Sequence, residues 1–289
     1  MMKSDFIYNF LDKNWKILTF PMIIAMVIAA AFLIIHYVQT GDFIDKDVEL
    51  KGGKLITIEV DNVSSISKIE SLVPDANIRF VSGLQSSILI EVSNDADHDA
   101  IIKKLAENGI TGPTSVRSIE PALSDVFWKQ AQLGIIVAFI LMSITIFIIF
   151  RSVAPSSAVI FAAATDIIIT AALMNVFGIP LSLASLAALL TLIGYSVDTD
   201  VLLTTNVLKE GSEIKHRISS AMKTGLTMTA CALAVLIVMI LFSGSIVLQQ
   251  IGYVLFIGLL VDVPATWLTN AGLLRFKLES DRKKEMSKR

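Results

Sequence analysis

The sequence predicts an α-helical integral membrane protein with six transmembrane helices and one external α+β domain. Three observations support this fold class. The 289 residues are 54% hydrophobic and only 17% charged, with a mean hydropathy of +0.71, whereas soluble proteins are about 25% charged. Apolar runs long enough to cross a bilayer recur six times along the chain. A polar stretch with the composition of a soluble domain separates the first run from the second.

The first apolar run, residues 17–38, follows a polar leader, residues 1–16, that contains Lys3, Lys13 and Lys16. The run is longer than the apolar core of a signal peptide, which has about 7–15 residues, and no small-x-small cleavage site follows it. We therefore expect an uncleaved first helix. Basic residues favour the cytoplasmic side of a membrane, so the N-terminus is predicted to lie inside.

Residues 39–128 are predicted to form a ferredoxin-like domain outside the membrane. Acids outnumber bases there, with 15 Asp and Glu against 8 Lys and Arg over residues 41–128. Alternating apolar residues predict strands, and amphipathic spacing predicts helices. The resulting β-α-β-β-α-β order is that of a split βαβ unit. The predicted elements are Lys54–Val60, Ser64–Leu72 with Ser64 as a possible N-cap, Asn77–Val81 and Ser86–Val92 joined by a turn at Gly83, Asp97–Asn108 closed by Gly109, and Thr114–Glu120.

Five further apolar runs within residues 129–274 predict a helix bundle with short connections. Arg151 and the stretch Lys209–Lys223 make two of the connections basic, and the tail, residues 275–289, is also basic. An inside N-terminus places all of these basic segments inside, both termini in the cytoplasm and the acidic domain outside the cell membrane. The predicted spans are residues 131–150, 154–176, 181–207, 219–242 and 247–274.

Acidic residues interrupt three of these apolar runs. In the fourth span, Gly194-Tyr195-Ser196-Val197-Asp198-Thr199-Asp200 carries two of them, and each charge at the bilayer centre costs about 2.5–3.5 kcal/mol on insertion scales. Counted at 1.5 Å per residue, Asp198 falls in one layer near mid-membrane with Asp166 and Asp262. Asp200 is expected slightly nearer the cytoplasm and on a different side of its helix.

Two interpretations of these acids remain open. They form an internal cluster in which at least one carboxyl is neutral at pH 7, which suits a proton relay, or they bond hydroxyl groups across helices and fix the packing. Both apply to Asp198 and Asp200, whereas packing is favoured for Asp166 and Asp262. Lys223 is the candidate counter-charge, unless its side chain extends to the membrane interface. Pro264 is expected to bend the sixth helix beside Asp262.

Nothing in the sequence indicates an enzyme. It contains no Gly-rich phosphate loop, nucleophile elbow or HExxH motif. The single cysteine, Cys231, excludes a disulfide within the chain and a cysteine-based zinc site, and the three histidines show no ligand spacing. We expect no cofactor, no metal and no nucleic-acid partner. Gly52 and Gly53 are predicted to form a tight bend before the first outer strand.

The six spans, the domain between the first two, and two motifs together resemble SecF proteins, which share the membrane architecture of RND transporters. The motifs are Glu49-Leu50-Lys51-Gly52-Gly53 after the first helix and Gly194–Asp200, with Lys209-Glu210 at the end of its helix. The resemblance covers about residues 10–275. The Asp-Thr-Asp form of residues 198–200 is similar to archaeal members, because bacterial members usually have Asn-Asp-Thr followed by a charged continuation.

The resemblance implies an accessory subunit of the Sec protein translocase that acts with SecD and a SecY-type channel. The outer domain would engage the translocating polypeptide, and the bundle would use the proton gradient. Two alternatives are half of an RND-type small-molecule exporter and a structural scaffold that holds SecD beside the channel. The candidate relay residues are Asp198, Asp200, Asp166, Asp262 and Lys223, and the motif residues are Gly194, Tyr195, Ser196, Gly52 and Gly53.

Overall fold

The structure is a computed structural model, which describes residues 14–60, 66–74, 76–81, 86–209 and 214–286. Within these ranges, six helices are long and apolar enough to cross a membrane. A four-stranded antiparallel sheet lies between the first and second of them in the chain. The predicted fold class is confirmed.

The first membrane helix, α1 (Phe20–Thr40), extends an apolar span that begins at Trp15. It ends at Gly41, whose φ of +86° gives the left-handed conformation that is typical of helix C-termini. Residues 41–47 then lead into a short helix, α2 (Val48–Lys51), whose N-terminus is capped by the Asp47 side chain. We refer to residues 41–51 as the strap, because they connect α1 to the outer domain.

The outer domain has the predicted ferredoxin-like topology. All neighbouring strands pair antiparallel in the order β2-β3-β1-β4. Its described elements lie within two residues of the predicted bounds, although Ser64 and Gly83 fall outside the described residues. The elements are β1 (Gly53–Val60), α3 (Ile66–Leu72), β2 (Asn77–Val81), β3 (Ser86–Val92), α4 (His98–Glu107) and β4 (Thr114–Ile119).

Alternation along the strands gives the sheet two different faces. One face packs Ile56, Ile58 and Ile90 against Ile69 of α3 and Leu105 of α4, which makes the core of the domain. The other face points to the membrane bundle and bounds a cleft of about 1490 Å³. The sheet residues at this cleft include Leu55, Thr57, Leu89 and Arg117.

The bundle consists of α5 (Pro121–Phe150), α6 (Val153–Val176), α7 (Leu183–Leu208), α8 (Ile214–Phe242) and α9 (Ile246–Pro264). Helix α5 begins ten residues before the predicted run at 131, because hydropathy detects only the continuous apolar part of a helix and the first turns of α5 mix apolar residues with polar and charged ones. Small residues allow close packing. A Cβ atom at Gly258 would collide with Leu192 of α7, and one at Gly225 of α8 would collide with Trp267.

The sixth span changes its helix type after Pro264. The chain continues as a π-helix, Ala265–Asn270, and then as α10 (Ala271–Met286). Proline lacks the N–H that an α-helix needs, and π-helical turns are frequent at functional sites. Five of the six residues in the π-helix are buried, including Thr266 and Asn270. Pro264 thus stands where the helix changes its hydrogen-bonding pattern, beside Asp262.

Candidate functional site in the membrane

Three membrane helices bring three acidic residues together in the interior of the bundle. Asp166 comes from α6, Asp200 from α7 and Asp262 from α9. Each is at most 1% exposed, and the Asp166 and Asp262 carboxyl groups lie next to each other. We call Asp166, Asp200 and Asp262 the aspartate cluster.

Ser196 connects Asp166 to α7. Its hydroxyl group donates a hydrogen bond to Asp166 Oδ2 at 2.5 Å, and Ser196 itself is fully buried. The other carboxyl oxygen, Oδ1, has no hydrogen-bond partner within the described part of the chain. Asp166 therefore retains one acceptor that faces the protein interior.

Asp262 accepts from two threonine hydroxyl groups. Thr266, one turn later in the π-helix, donates to Oδ1 at 3.1 Å. The Thr199 hydroxyl group of α7 lies 3.2 Å from Oδ2, 2.9 Å from the carbonyl oxygen of Ser196 and 3.5 Å from that of Tyr195, so several acceptors compete for its one proton. A hydroxyl group both donates and accepts, so both threonines can rearrange if the charge of Asp262 changes.

Asp200 is held by the end of the π-helix. Asn270 Nδ2 donates to Asp200 Oδ1 at 2.7 Å. Asp200 Oδ2, Asn270 Oδ1 and Thr204 Oγ1 are buried and have no partner among the residues that the structure describes. Thr266 and Asn270 are four residues apart, and together they attach the π-helix to two of the three acids.

The sequence kept both α7 acids as candidates and placed Asp198 in one layer with Asp166 and Asp262, but the side chain that joins these two acids is that of Asp200. The structure places Asp200 in the cluster and Asp198 on the exposed surface of the helix. Depth along a helix gives the height of a side chain but not its direction. Ser196 and Asp200 are four residues apart and share one face, whereas Asp198 is rotated from Ser196 by about 200°.

Lys223 does not provide a counter-charge to the cluster. It is exposed on α8, and among the described residues no lysine, arginine or histidine forms an ion pair with any of the three acids. The partners of the cluster are neutral hydroxyl and amide groups.

The Gly-Tyr-Ser motif has two sides. Ser196 faces the cluster, but Gly194 and Tyr195 face outward with Asp198. Tyr195 is 46% exposed, and a Cβ atom at Gly194 would meet nothing within 4 Å. We call Gly194, Tyr195 and Asp198 the outer face of α7.

Gly52 and Gly53 form the predicted bend between α2 and β1. Gly52 has a φ of +80°, and its position lies against the start of α5, where an added Cβ atom would be 3.2 Å from Pro121 Cα. Gly53 has a φ of +137°, and an added Cβ atom would lie 2.8 Å from the Val92 carbonyl oxygen. Both the backbone conformation and the close approach require glycine.

The groups of the aspartate cluster can bind protons and exchange hydrogen bonds with their neighbours. No group of three or more His, Cys, Asp or Glu side chains in the described ranges could hold a metal ion. Three carboxyl groups linked by hydroxyl groups from neighbouring helices can accept a proton and exchange hydrogen bonds as it moves.

Comparison with known proteins gives consistent matches. The family described as "Protein export membrane protein SecD/SecF, C-terminal" matches residues 100–280. A protein named "Protein-export membrane protein SecF" from Pyrococcus furiosus is 37% identical over 276 residues, which cover 93% of each chain. Its counterpart from Methanothermobacter thermautotrophicus is 42% identical over 246 residues, or 82% of this chain and 85% of that protein.

The fold is also similar to solved structures. A crystal structure of SecDF, a translocon-associated membrane protein from Thermus thermophilus, matches with a TM-score of 0.73 and 20% identity over 92% of this chain. A structure of SecDF in the super-membrane-facing form matches with a TM-score of 0.60 and 19% identity. The chain spans only 38% of the length of the first SecDF chain and 40% of the second. The family match and the archaeal relatives together show that the chain belongs to the SecD/SecF family of protein-export membrane proteins, on its SecF side.

Proposed function

We propose that the protein is a non-enzymatic accessory subunit of the Sec protein translocase and that the aspartate cluster couples proton binding to its action. The observation that carries the proposal is the meeting of three buried acids from three membrane helices, none of which pairs with a cation among the described residues. The name of the relatives, protein-export membrane protein SecF, supports the export role.

Electrostatics explains why such a cluster responds to a proton. Neighbouring ionised carboxylates repel one another strongly in a low-dielectric interior. A proton bound within the cluster removes part of this repulsion, and its release restores it. Since the acids belong to α6, α7 and α9, the repulsion acts between helices and favours a different helix packing.

Export of a reporter protein in cells that contain only mutant protein tests this proposal. Asp200→Asn keeps the shape of the side chain and its acceptor for Asn270 but removes the titrating group, and we expect export to fall by at least about tenfold. Asp99→Asn is the matched control, because Asp99 has an exposed side chain in the outer domain. Normal export in the Asp200→Asn cells would contradict the proton relay and favour the interpretation of the protein as a structural scaffold.

The proposed membrane orientation has both termini in the cytoplasm and the outer domain outside. The distribution of basic segments supports it, because they all fall on one side. Labelling with a membrane-impermeant maleimide tests it in intact cells, using Cys231→Ser protein with one new cysteine. We expect labelling of Asp99→Cys and none of Lys277→Cys, and the reverse pattern would overturn the orientation.

The outer face of α7 supports the proposed SecD-type partner. An acid, a tyrosine and a glycine lie uncovered in the middle of a membrane helix. An acid that faces lipid is costly, and glycine allows close approach of a second helix. Cysteine cross-linking with SecD tests the contact, with Tyr195→Cys expected to cross-link and Val235→Cys, exposed on α8, expected not to.

The cleft between the outer sheet and the bundle is the proposed site where the translocating polypeptide is engaged, next to a SecY-type channel. Its walls include the apolar residues Leu55 and Leu89 and the basic residue Arg117. The cleft can therefore contact both apolar and acidic side chains of a polypeptide. A photo-activatable residue at Ser115, which lines the cleft and is exposed, should cross-link to an arrested export substrate, whereas one at Lys103, exposed on α4, should not.

A further inference from the structure

Glu49 joins the outer sheet to the first turn of α7 through a single carboxyl group. Its Oε1 atom accepts a hydrogen bond from Arg117 Nη1 of β4 at 2.8 Å. Its Oε2 atom accepts from the backbone N–H of Leu183, the first residue of α7, at 3.1 Å. The Glu49 side chain is 17% exposed and that of Arg117 is 53% exposed, so solvent reaches the Arg117 side of the contact.

The contact with α7 adds to a cap that the helix already has. A helix start leaves several N–H groups without intrahelical partners. Ser182 accepts from the Ser185 N–H at 3.1 Å, and Ser185 Oγ accepts from the Ser182 N–H at 2.7 Å. Glu49 satisfies a further donor from 134 residues away in the chain, and its negative charge is favoured by the helix dipole.

Other residues of the strap also contact the start of α7. Leu50 is 3% exposed and packs in a bundle cluster that includes Leu189 and Leu192 of α7. The Asp47 N–H donates to the Leu181 carbonyl at 2.9 Å, and the Leu181 N–H donates to the Asp45 carbonyl at 2.7 Å. The strap and the start of α7 therefore form one packed unit.

Helix α7 connects this unit to the aspartate cluster. Ser196 follows Leu183 by 13 residues, which corresponds to about 20 Å of helix. A continuous hydrogen-bonded helix transmits a shift or rotation of its first turn along this length. The residues that would move with it are Ser196, Thr199 and Asp200, all of which contact the cluster or belong to it.

We propose that Glu49 is a positioning residue that holds α7 to β4, so that movement of the outer sheet reorients the α7 side of the aspartate cluster. The functional meaning of this link rests on the proposed function of the cluster, but the link itself can be measured without it. The Glu49–Gly53 motif then has two roles. Gly52 and Gly53 form the bend before β1, and Glu49 connects β4 to α7.

Hydrogen exchange in the full chain, reconstituted in lipid nanodiscs, tests the link from the side of the outer domain. Arg117→Met leaves the Glu49 cap on Leu183 in place but breaks its connection to β4. We expect the amides in the first two turns of α7 to exchange about fivefold faster, the change that follows from losing an interaction of about 1 kcal/mol. Glu49→Asp, one methylene shorter, should change exchange in the same direction because it cannot reach both partners.

Lys103→Met is the matched control, since Lys103 is exposed on α4, on the sheet face away from the bundle. It should leave α7 exchange unchanged. Faster exchange in Arg117→Met that is confined to β4 would overturn the link.

Infrared spectroscopy tests the positioning role. The pH midpoint of the carboxyl band of the aspartate cluster should shift in Arg117→Met and not in Lys103→Met. An unshifted midpoint in Arg117→Met would mean that Glu49 is only a helix cap. If the wild type shows no titrating band, the proposed function is overturned, and hydrogen exchange alone then tests the link between β4 and α7.

Discussion

Two groups of acidic residues differ in the groups that they contact. At the base of the outer domain, Glu91 contacts both Arg79 and Lys51, and Glu49 contacts Arg117. In the membrane, the aspartate cluster accepts hydrogen bonds from hydroxyl groups and from the Asn270 amide, and no cation among the described residues pairs with it. The first group is neutralised by cations, and the second is not.

The difference separates structural acids from acids that can change charge. Burial lowers the pKa of the Lys51 ammonium and of the Arg79 guanidinium, because desolvation disfavours their charged forms. The Asp47 carboxylate offsets part of this effect for both cations, and Glu91 forms an ion pair with each of them. The aspartate cluster has no cation partner among the described residues. Its hydroxyl and amide partners are neutral, so they tolerate either protonation state of the carboxyl groups.

Glu91→Gln should have the largest effect, because it leaves two partly buried cations without their shared acid. Breaking a buried ion pair by removing one partner costs about 3–5 kcal/mol, and we expect about 3 kcal/mol because Lys51 is partly exposed. The opening free energy of β3, measured by hydrogen exchange in the full chain, reports the loss. Glu107→Gln at the exposed end of α4 should stay within about 0.5 kcal/mol. Equal effects of the two substitutions would show that the network does not stabilise the domain.

Gly53→Val should destabilise the outer domain by about 2 kcal/mol without preventing membrane insertion. The substitution strains a backbone with a φ of +137° and brings Cβ within 2.8 Å of the Val92 carbonyl oxygen. Protease resistance of the domain in membrane vesicles measures it. Gly109→Ala tests the backbone conformation alone, because Gly109 has a φ of +85° but open space around it, and should cost about 1 kcal/mol. Unchanged protease resistance in Gly53→Val would contradict the role of the bend.

Asp262→Asn should change stability by less than about 1 kcal/mol. The amide oxygen still accepts a hydrogen bond from Thr199 or Thr266, and no cation is left unpaired. Thermal unfolding in mild detergent measures this change. Asp262→Leu removes both acceptors and should cost more, so it provides the internal comparison. A loss as large as that of Glu91→Gln would mean that the cluster is a structural network like the one at the domain base.

Asp198→Asn should have the smallest effect on stability, within about 0.5 kcal/mol, because the side chain is exposed. Its expected effect is weaker co-purification with a SecD-type partner. Thr205→Val, also exposed on α7, serves as the control for a polar group lost from the same helix. Unchanged co-purification of Asp198→Asn would remove this acid from the proposed interface.

The sequence predicted the outer domain well because strand alternation and local caps define it. Asp97 accepts from the Asp99 and Ala100 N–H groups at the start of α4, and Gly109 follows its end in a left-handed conformation. These are short-range signals that need no tertiary information. The β-α-β-β-α-β order of the elements was predicted from these signals, and the structure adds the strand order β2-β3-β1-β4.

The membrane site was only partly predictable. Counting residues placed Asp198 in one layer with Asp166 and Asp262, whereas the structure brings Asp200 to these two acids. Extending the buried stripe of α7 from Leu192 through Ser196 to Leu203 would have selected the face with Asp200. The π-helix that presents Asn270 has no local signal beyond Pro264, because its register depends on contacts with other helices.

The central claim is that Asp200 in the aspartate cluster, rather than Asp198, belongs to the group that takes up the proton. Infrared difference spectroscopy of the full chain in nanodiscs, recorded between two pH values, follows the C=O stretch of protonated carboxyl groups. The wild type should show a titrating band from a buried carboxyl group, Asp198→Asn should keep it, and Asp200→Asn should lose or shift it. A band that disappears in Asp198→Asn and remains in Asp200→Asn would contradict the account.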